Sequence, residues 1–384
     1  MTFLYLSGVP LAVDTEGNLG LRSKTASGLQ EYRSRMDDEI VVSALTPPVL
    51  TPRSSPGLSW QGETRLEGVD LAPLADEELL KSRRVSLAQG IVTLPGIERF
   101  VGREFSTVLV DDYSPKIRRE ITLLTARNQL DRTRIKLGHA RETSRIDGIA
   151  RNADGMQCLG DSSYRHYKRV NSNTVRFSDH RLSGEDVAKA RAAKSRSSQT
   201  LRIAFSGRFI EMKGAHLLPD FATILDSRGI EAQITVLGSG ELEQKIAEAQ
   251  APNLRMAGFL DFETEWKEYV RDQVDVMFLP HLQSDPSCTY LEAMGSGAPV
   301  LGFDNVSLSG FLADGGGGWS VPRGDLEAAA DVIARLARDP GELHTQREQG
   351  LDYVALQPSA KVFDGRVQHL LETQQRRRHR AQGL

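Results

Sequence analysis

The chain has 384 residues, 39% of them hydrophobic and 26% charged, with a formal net charge of −3. That length exceeds what one hydrophobic core usually serves, so two domains are expected, and the balanced charge argues against bulk nucleic-acid binding. The two cysteines, Cys158 and Cys288, are far apart and suit neither a disulfide framework nor a zinc cluster, and no apolar run approaches the ~20 residues that span a bilayer. The expectation is a soluble protein in a reducing cytoplasm, at most peripheral at a membrane.

The N-terminal stretch MTFLYLSGVPLAVD has no basic segment and only a short apolar run. It reads as a first buried strand, not a signal peptide. Strand patterns follow at 3–7, 40–45, 106–110 and 155–159. Residues 116–150 read as a charged helix with apolar positions at Ile117, Ile121, Leu124, Leu130, Ile135 and Ile146. The stretch 57–102 is ambiguous, and its strands cannot be ordered from the pattern. A first α/β domain over 1–183 is the reading.

Residues 184–200 form the expected linker, helical at first and then polar through SRSSQT. The second domain, 201–356, is clearer. β-rich apolar runs at 201–206, 233–237, 254–257, 274–279, 299–303 and 319–321 alternate with amphipathic helical runs at 215–226, 241–249, 263–271, 288–295 and 325–338. Such alternation predicts a parallel, doubly wound sheet with ligands at the carboxyl ends of its strands. From 357 to 384 a helical pattern returns through Val362, Val367, Leu370 and Leu371 and ends in QQRRRHRAQGL, a cationic end expected to be frayed and solvated.

Three post-strand loops carry candidate chemistry. The first is SGRFIEMKG, residues 206–214. Gly207 allows close backbone approach. Arg208 and Lys213 share the loop and can converge on one anion, such as the diphosphate of a nucleotide leaving group. The bland alternative is a pair of surface cations, one of them paired with Glu211. The second is Gly238-Ser239-Gly240, which lacks a full GxGxxG pattern and also fits a tight turn. The third is SDPSCTYLEAMGSGAPVLGFDN, residues 284–305. It reads as loop, helix, turn and strand, with unpaired N–H groups at the helix start for an anion and one carboxylate, Glu292, for ribose or sugar hydroxyls. An ordinary helix start with a solvated Glu is the other reading.

Gly207-Arg208, Glu211, Lys213-Gly214, Gly238-Ser239-Gly240, Gly258 and LEAMGSGAPV occur in an order that resembles the retaining glycosyltransferases of family 4, in particular a bacterial subset with the DPSCTYLE form. The resemblance covers roughly residues 200–350. It implies a GT-B fold: α/β, with two Rossmann-like domains facing a cleft and a C-terminal helix crossing back to the N-terminal domain. It implies a nucleotide-diphosphate sugar as donor, with Arg208 and Lys213 on the diphosphate and Glu292 on the ribose. Gly207 and the N–H groups near Ser287, Cys288 and Thr289 would face the phosphate or sugar. The family often has a glutamate eight residues before Glu292, where this chain has Ser284. Asp285, one step off register, or Ser284 itself would make the sugar contact. Gly20, in the loop EGNLG after the first strand, would approach the donor phosphate, with Arg22 and Lys24 nearby. Asp111 and Asp112, at a strand end, would orient an acceptor; a helix N-cap is the alternative.

No acid or histidine cluster has metal-ligand spacing, and Asp111-Asp112 is not a DxD pair. No cofactor or metal is therefore expected beyond the donor substrate. The acceptor is expected to be a small molecule or saccharide, in aminoglycoside-like secondary metabolism or polysaccharide assembly. The rivals are an epimerase or hydrolase on the same fold and a non-catalytic sugar-nucleotide sensor. A nicotinamide-dependent dehydrogenase fits poorly, because no glycine fingerprint follows the first strand.

Overall fold

The computed structural model describes residues 1–55, 57–193, 200–249, 251–284 and 286–382. The chain forms two compact units, one of 1–115, 133–177 and 360–384, the other of 116–132 and 178–359. Residues 116–132 thus join the second unit although they precede it in the chain.

In the first unit the chain runs β1 (Thr2–Ser7), β2 (Ala12–Val13), β3 (Leu19–Arg22), α1 (Ser23–Arg33), β4 (Glu39–Ala44), β5 (Val49–Leu50), β6 (Leu58–Trp60), β7 (Val69–Leu71), α2 (Glu77–Ser82), β8 (Val85–Ile91) and β9 (Ser106–Asp111). The charged helical stretch is not one helix. It divides into α3 (Pro115–Leu124) and α4 (Gln129–Asn152), and Asn128 accepts from Asp131 N–H at 2.8 Å to start the second. Then come β10 (Gly155–Leu159), α5 (Gly160–Tyr167) and β11 (Thr174–Phe177). Seven parallel strands form the main sheet in the order β11-β10-β9-β8-β1-β4-β7, and a small sheet of order β5-β2-β3-β6 sits beside it. The ambiguous stretch 57–102 feeds both sheets, through β6 and through β7 and β8. That split is why no single period runs through it.

The second unit continues with α6 (Gly184–Ala192), β12 (Leu201–Ser206), α7 (Leu218–Ser227), β13 (Ala232–Leu237), α8 (Glu243–Glu248), β14 (Leu254–Gly258), α9 (Lys267–Gln273), β15 (Val276–Leu279), α10 (Cys288–Gly295), β16 (Val300–Phe303), α11 (Val306–Ala313), β17 (Gly318–Val321), α12 (Leu326–Arg338) and α13 (Pro340–Ala355). Its six parallel strands are ordered β14-β13-β12-β15-β16-β17. Strands β15 and β16 are buried at every position, as strands covered on both faces must be. The order reverses at β12, whose neighbours are β13 and β15. Ligands of open α/β sheets bind beyond the strand ends at such a point. The helix expected at the start of 184–200 is α6, which belongs to the second unit and puts Val187 and Ala190 into its core, while residues 194–199 lie outside the described residues.

The last helix, α14 (Ser359–Ala381), belongs from residue 360 onward to the first unit. Val367 and Leu370 enter the core that holds Phe3, Ile40 and Val108. The expected fraying is corrected over the described residues, while the expected solvation holds for Arg376, Arg378, His379 and Arg380, which are exposed. The helix continues through RRRHR, because Arg377 is anchored to Asp154 by bonds of 2.7 and 2.8 Å. No helix among the described residues is long and apolar enough to cross a membrane.

His369 on α14 is buried. Its Nδ1 faces Gln157 Nε2 at 3.4 Å and its Nε2 faces Asn173 Oδ1 at 3.3 Å. Burial pulls its pKa from 6.5 down to about 4. The folded state therefore holds a neutral ring that the unfolded chain protonates below 6.5. This contribution is complete above pH 6.5 and is lost as pH falls toward 4, about 3 kcal/mol in all. Urea unfolding of His369→Gln across this window is expected to show a shallower loss of stability than the parent protein.

Candidate functional site

The loops after β12 and β13 cross backbone to backbone. Gly207 N–H donates to Leu237 O at 3.0 Å, and Phe209 N–H donates to Ser239 O at 2.9 Å. Gly238 has φ 131°, and a Cβ there would lie 2.0 Å from Gly207 O. The GSG sequence therefore has a structural reason: only glycine admits this crossing. The crossing buries Phe209 and leaves Arg208 exposed, its guanidinium without a partner among the described residues.

A 3-10 turn at Glu211–Lys213 follows, and Lys213 is buried, at 7% exposure. Gly214, at φ 72°, packs so tightly on the next loop that a Cβ would sit 2.0 Å from Pro280 O. Leu282 N–H donates to Met212 O at 3.1 Å. These contacts seat the β12 loop against the β15 loop.

Sequence reasoning passed over His281, which is fully buried in the β15 loop. The Asn305 carboxamide oxygen accepts from Ser307 and Leu308 N–H, so its Nδ2 donates to Phe303 O and to Tyr290 Oη. Tyr290 Oη and His281 Nδ1 share a hydrogen bond at 2.9 Å. Burial and the nearby Lys213 charge hold His281 well below its ordinary pKa. Its Nε2 has no partner among the described residues. Gln283 is also buried, with both amide atoms in the same condition.

Ser284 is buried. Its Oγ donates to Glu120 Oε2 at 3.2 Å and accepts from Val306 N–H at 3.3 Å. A carboxylate therefore stands beside Ser284 after all, delivered by α3. Asp285 lies outside the described residues. Ser287 precedes α10 without capping it by its side chain; its hydroxyl donates to Thr289 Oγ1 at 3.2 Å. Cys288 is half-buried at the helix start.

Glu292 is not a solvated carboxylate. It is buried, and Arg181 holds it, with Nε donating to Oε1 at 2.9 Å. Arg181 carried no sequence signal, because its run, SDHRLSG, belongs to no motif.

The structure thus brings Gly207, Arg208, Lys213, Ser287, Cys288, Thr289 and Glu292 to adjoining strand ends of one sheet. The remaining candidates lie in the first unit. Gly20 is in β3 under the Trp60 ring, where a Cβ would lie 2.7 Å from the indole. Residues 14–18 form the turn between β2 and β3, with Asp14 accepting from Glu16 and Asn18 N–H. Asp111 ends β9, is buried and accepts from the Ser163 hydroxyl. Asp112 is half-buried.

Two parallel-sheet Rossmann-like units with this connectivity define the GT-B class of glycosyltransferase fold. The solved structures agree. HepE of Anabaena, in complex with UDP, superimposes with a TM-score of 0.64 at 15% identity, over 97% of this chain and 100% of that one. Sucrose-phosphate synthase of Thermosynechococcus elongatus gives 0.66 at 16% identity, over 97% and 98%. Residues 200–339 match the family model for glycosyl transferases group 1. Among curated relatives, the amylovoran biosynthesis glycosyltransferase AmsK of Erwinia amylovora is 29% identical over 183 residues, 45% of this chain and 42% of that one. The lipopolysaccharide core biosynthesis glycosyltransferase LpsE of Rhizobium meliloti is 27% identical over 208 residues, 53% and 57%. The chain spans about half the length of the curated relatives it matches.

The glycine crossing is testable. Gly238→Ala is expected to cost about 3 kcal/mol or more, since a backbone oxygen occupies the Cβ position and φ is positive. Urea unfolding measures this directly.

Proposed function

We propose that the protein is a retaining glycosyltransferase that moves a sugar from a nucleoside-diphosphate donor to an acceptor hydroxyl. The observation that carries the reading is the placement of Arg208 and the buried Lys213 at the sheet's reversal point, beside the α10 start and Glu292. Two cations there suit a leaving group that gains negative charge as the glycosidic bond breaks. Lys213 serves as a point charge in a buried setting, and Arg208 as a fork that reaches outward. Glu292 would take the ribose hydroxyls. Ser284, with Glu120 beside it, or Asp285, the next residue in sequence, would meet the transferred sugar.

Attack would come from the leaving-group face, with the departing phosphate taking the acceptor proton. That route needs no strong protein base. UDP-sugars are the first donors to try, given the UDP held by HepE. Relatives named for amylovoran and lipopolysaccharide core biosynthesis make a saccharide acceptor the leading choice over a small secondary metabolite. Of the two acceptor-side aspartates, Asp112 is the more accessible. Action in the cytoplasm completes the proposal.

Arg208→Ala and Lys213→Ala are each expected to lower kcat by about 10²-fold or more with the fold retained, as loss of one preorganised charge contact does. Near-parent rates for both would sink the assignment of the diphosphate site. The same cations would take the place of a metal at the diphosphate, so turnover is expected to survive added EDTA. Complete loss with chelator, restored by a divalent ion, would overturn metal-independent transfer. Product analysis separates the rivals: a transferase leaves free nucleoside diphosphate and a new glycoside, whereas a hydrolase leaves free sugar.

A further inference from the structure

Arg181 is built into the second unit from three directions. Its guanidinium carbon lies 3.4 Å from the centroid of the Phe262 ring. Phe262 stacks on Trp266 at 5.3 Å, and Trp266 Nε1 donates to Ser206 Oγ at 2.8 Å. The stack is therefore tied to the last residue of β12, one step before the Gly207-Arg208 loop. The flanking backbone is fixed as well. His180 donates from Nε2 to Gln357 O at 2.8 Å and accepts Leu182 N–H at Nδ1, while Ser359 N–H donates to Leu182 O at 3.0 Å. Leu182 fills the space that Gly295 of α10 leaves open, where a Cβ would lie 2.5 Å from Leu182 Cδ1.

The third direction is the fork to Glu292, with Nε to Oε1 at 2.9 Å and Nη2 to Oε2 at 3.5 Å. The two ends differ in exposure: the Glu292 side chain is 3% exposed and that of Arg181 is 34%. A carboxylate this deep is tolerable only with a cation and good geometry. The side-on fork takes one lone pair from each oxygen and sets the carboxylate plane. The lone pairs left over remain available to two neighbouring hydroxyl donors.

We propose that Arg181 is a positioning residue for nucleotide recognition: by fixing the Glu292 carboxylate between the Phe262 stack and α10, it makes the site select a ribose diol over a 2′-deoxyribose. The inference rests on the reading of Glu292 as the ribose contact, and the test keeps the two separable.

Binding of UDP and 2′-deoxy-UDP, and of GDP and 2′-deoxy-GDP, is measured by calorimetry on the full chain. The parent protein is expected to favour the ribonucleotide about tenfold or more in whichever pair it binds, since a hydroxyl bonded to a charged group is at stake. Glu292→Gln and Arg181→Ala are each expected to bring the ratio close to one. Arg181→Lys, which keeps the charge and loses the fork, is expected to fall between. A merely structural ion pair would lower the melting temperature and leave the ratio unchanged. If Glu292→Gln loses the preference while Arg181→Ala keeps it, Arg181 has no such role and the ribose reading stands. If Glu292→Gln keeps the preference, the ribose reading falls and this inference with it. Should Arg181→Ala fail to fold, an undiminished ratio in Arg181→Lys overturns the proposal. A parent protein that binds neither pair contradicts the nucleotide-sugar site itself.

Discussion

The close approach of backbone at the carboxyl edge of the second sheet is the constraint on which the candidate site depends. Gly238 meets the Gly207 carbonyl where no Cβ fits, and Gly214 meets Pro280 in the same way. These contacts bring the loops after β12, β13 and β15 together. Arg208, Lys213 and the approach to α10 then lie on adjoining loops. Gly238 and Gly214 are more than hinges: each removes one methyl-sized obstacle from a close backbone approach.

Buried polar groups form the second layer. Lys213, His281, Gln283, Ser284 and Glu292 are buried in these loops and in α10. Burial of such groups costs free energy unless partners are supplied. Tyr290 and Asn305 supply them for one side of His281, and Arg181 does so for Glu292. His281 stays neutral beside Lys213, so the positive charge of the region remains concentrated on the lysine and on Arg208. On the proposed reading, such a site would be pre-formed for an anion rather than assembled around one.

Much of this was legible in the chain. The alternation of strands and helices after residue 200 announced a parallel sheet, and the post-strand positions of Arg208, Lys213 and Glu292 followed from it. After residue 200, two helices among the described residues escaped the reading. α11 has apolar residues with no clear face, and α13 has its few buried residues, Gly350, Leu351 and Val354, near its end. The first unit was harder because 57–102 serves two sheets, and because the charged stretch after Pro115 is broken at Asn128 by a cap that looks like any other polar residue. Arg377 was misjudged for a related reason: a run of arginines looks solvated until a partner such as Asp154, more than two hundred residues away, is placed beside it.

By itself the sequence determined the local matters: which runs are strands, which loops follow them, and where glycine must stand so that backbone can pass backbone. These depend on periodicity and on φ, which neighbouring residues set. Only the tertiary structure decided that Glu292 is buried and forked to Arg181, that Glu120 stands beside Ser284, and that Arg377 is tied to Asp154. Each of those depends on a partner distant in the chain. Burial and charge pairing are properties of what surrounds a residue, and the surroundings exist only once the chain has folded.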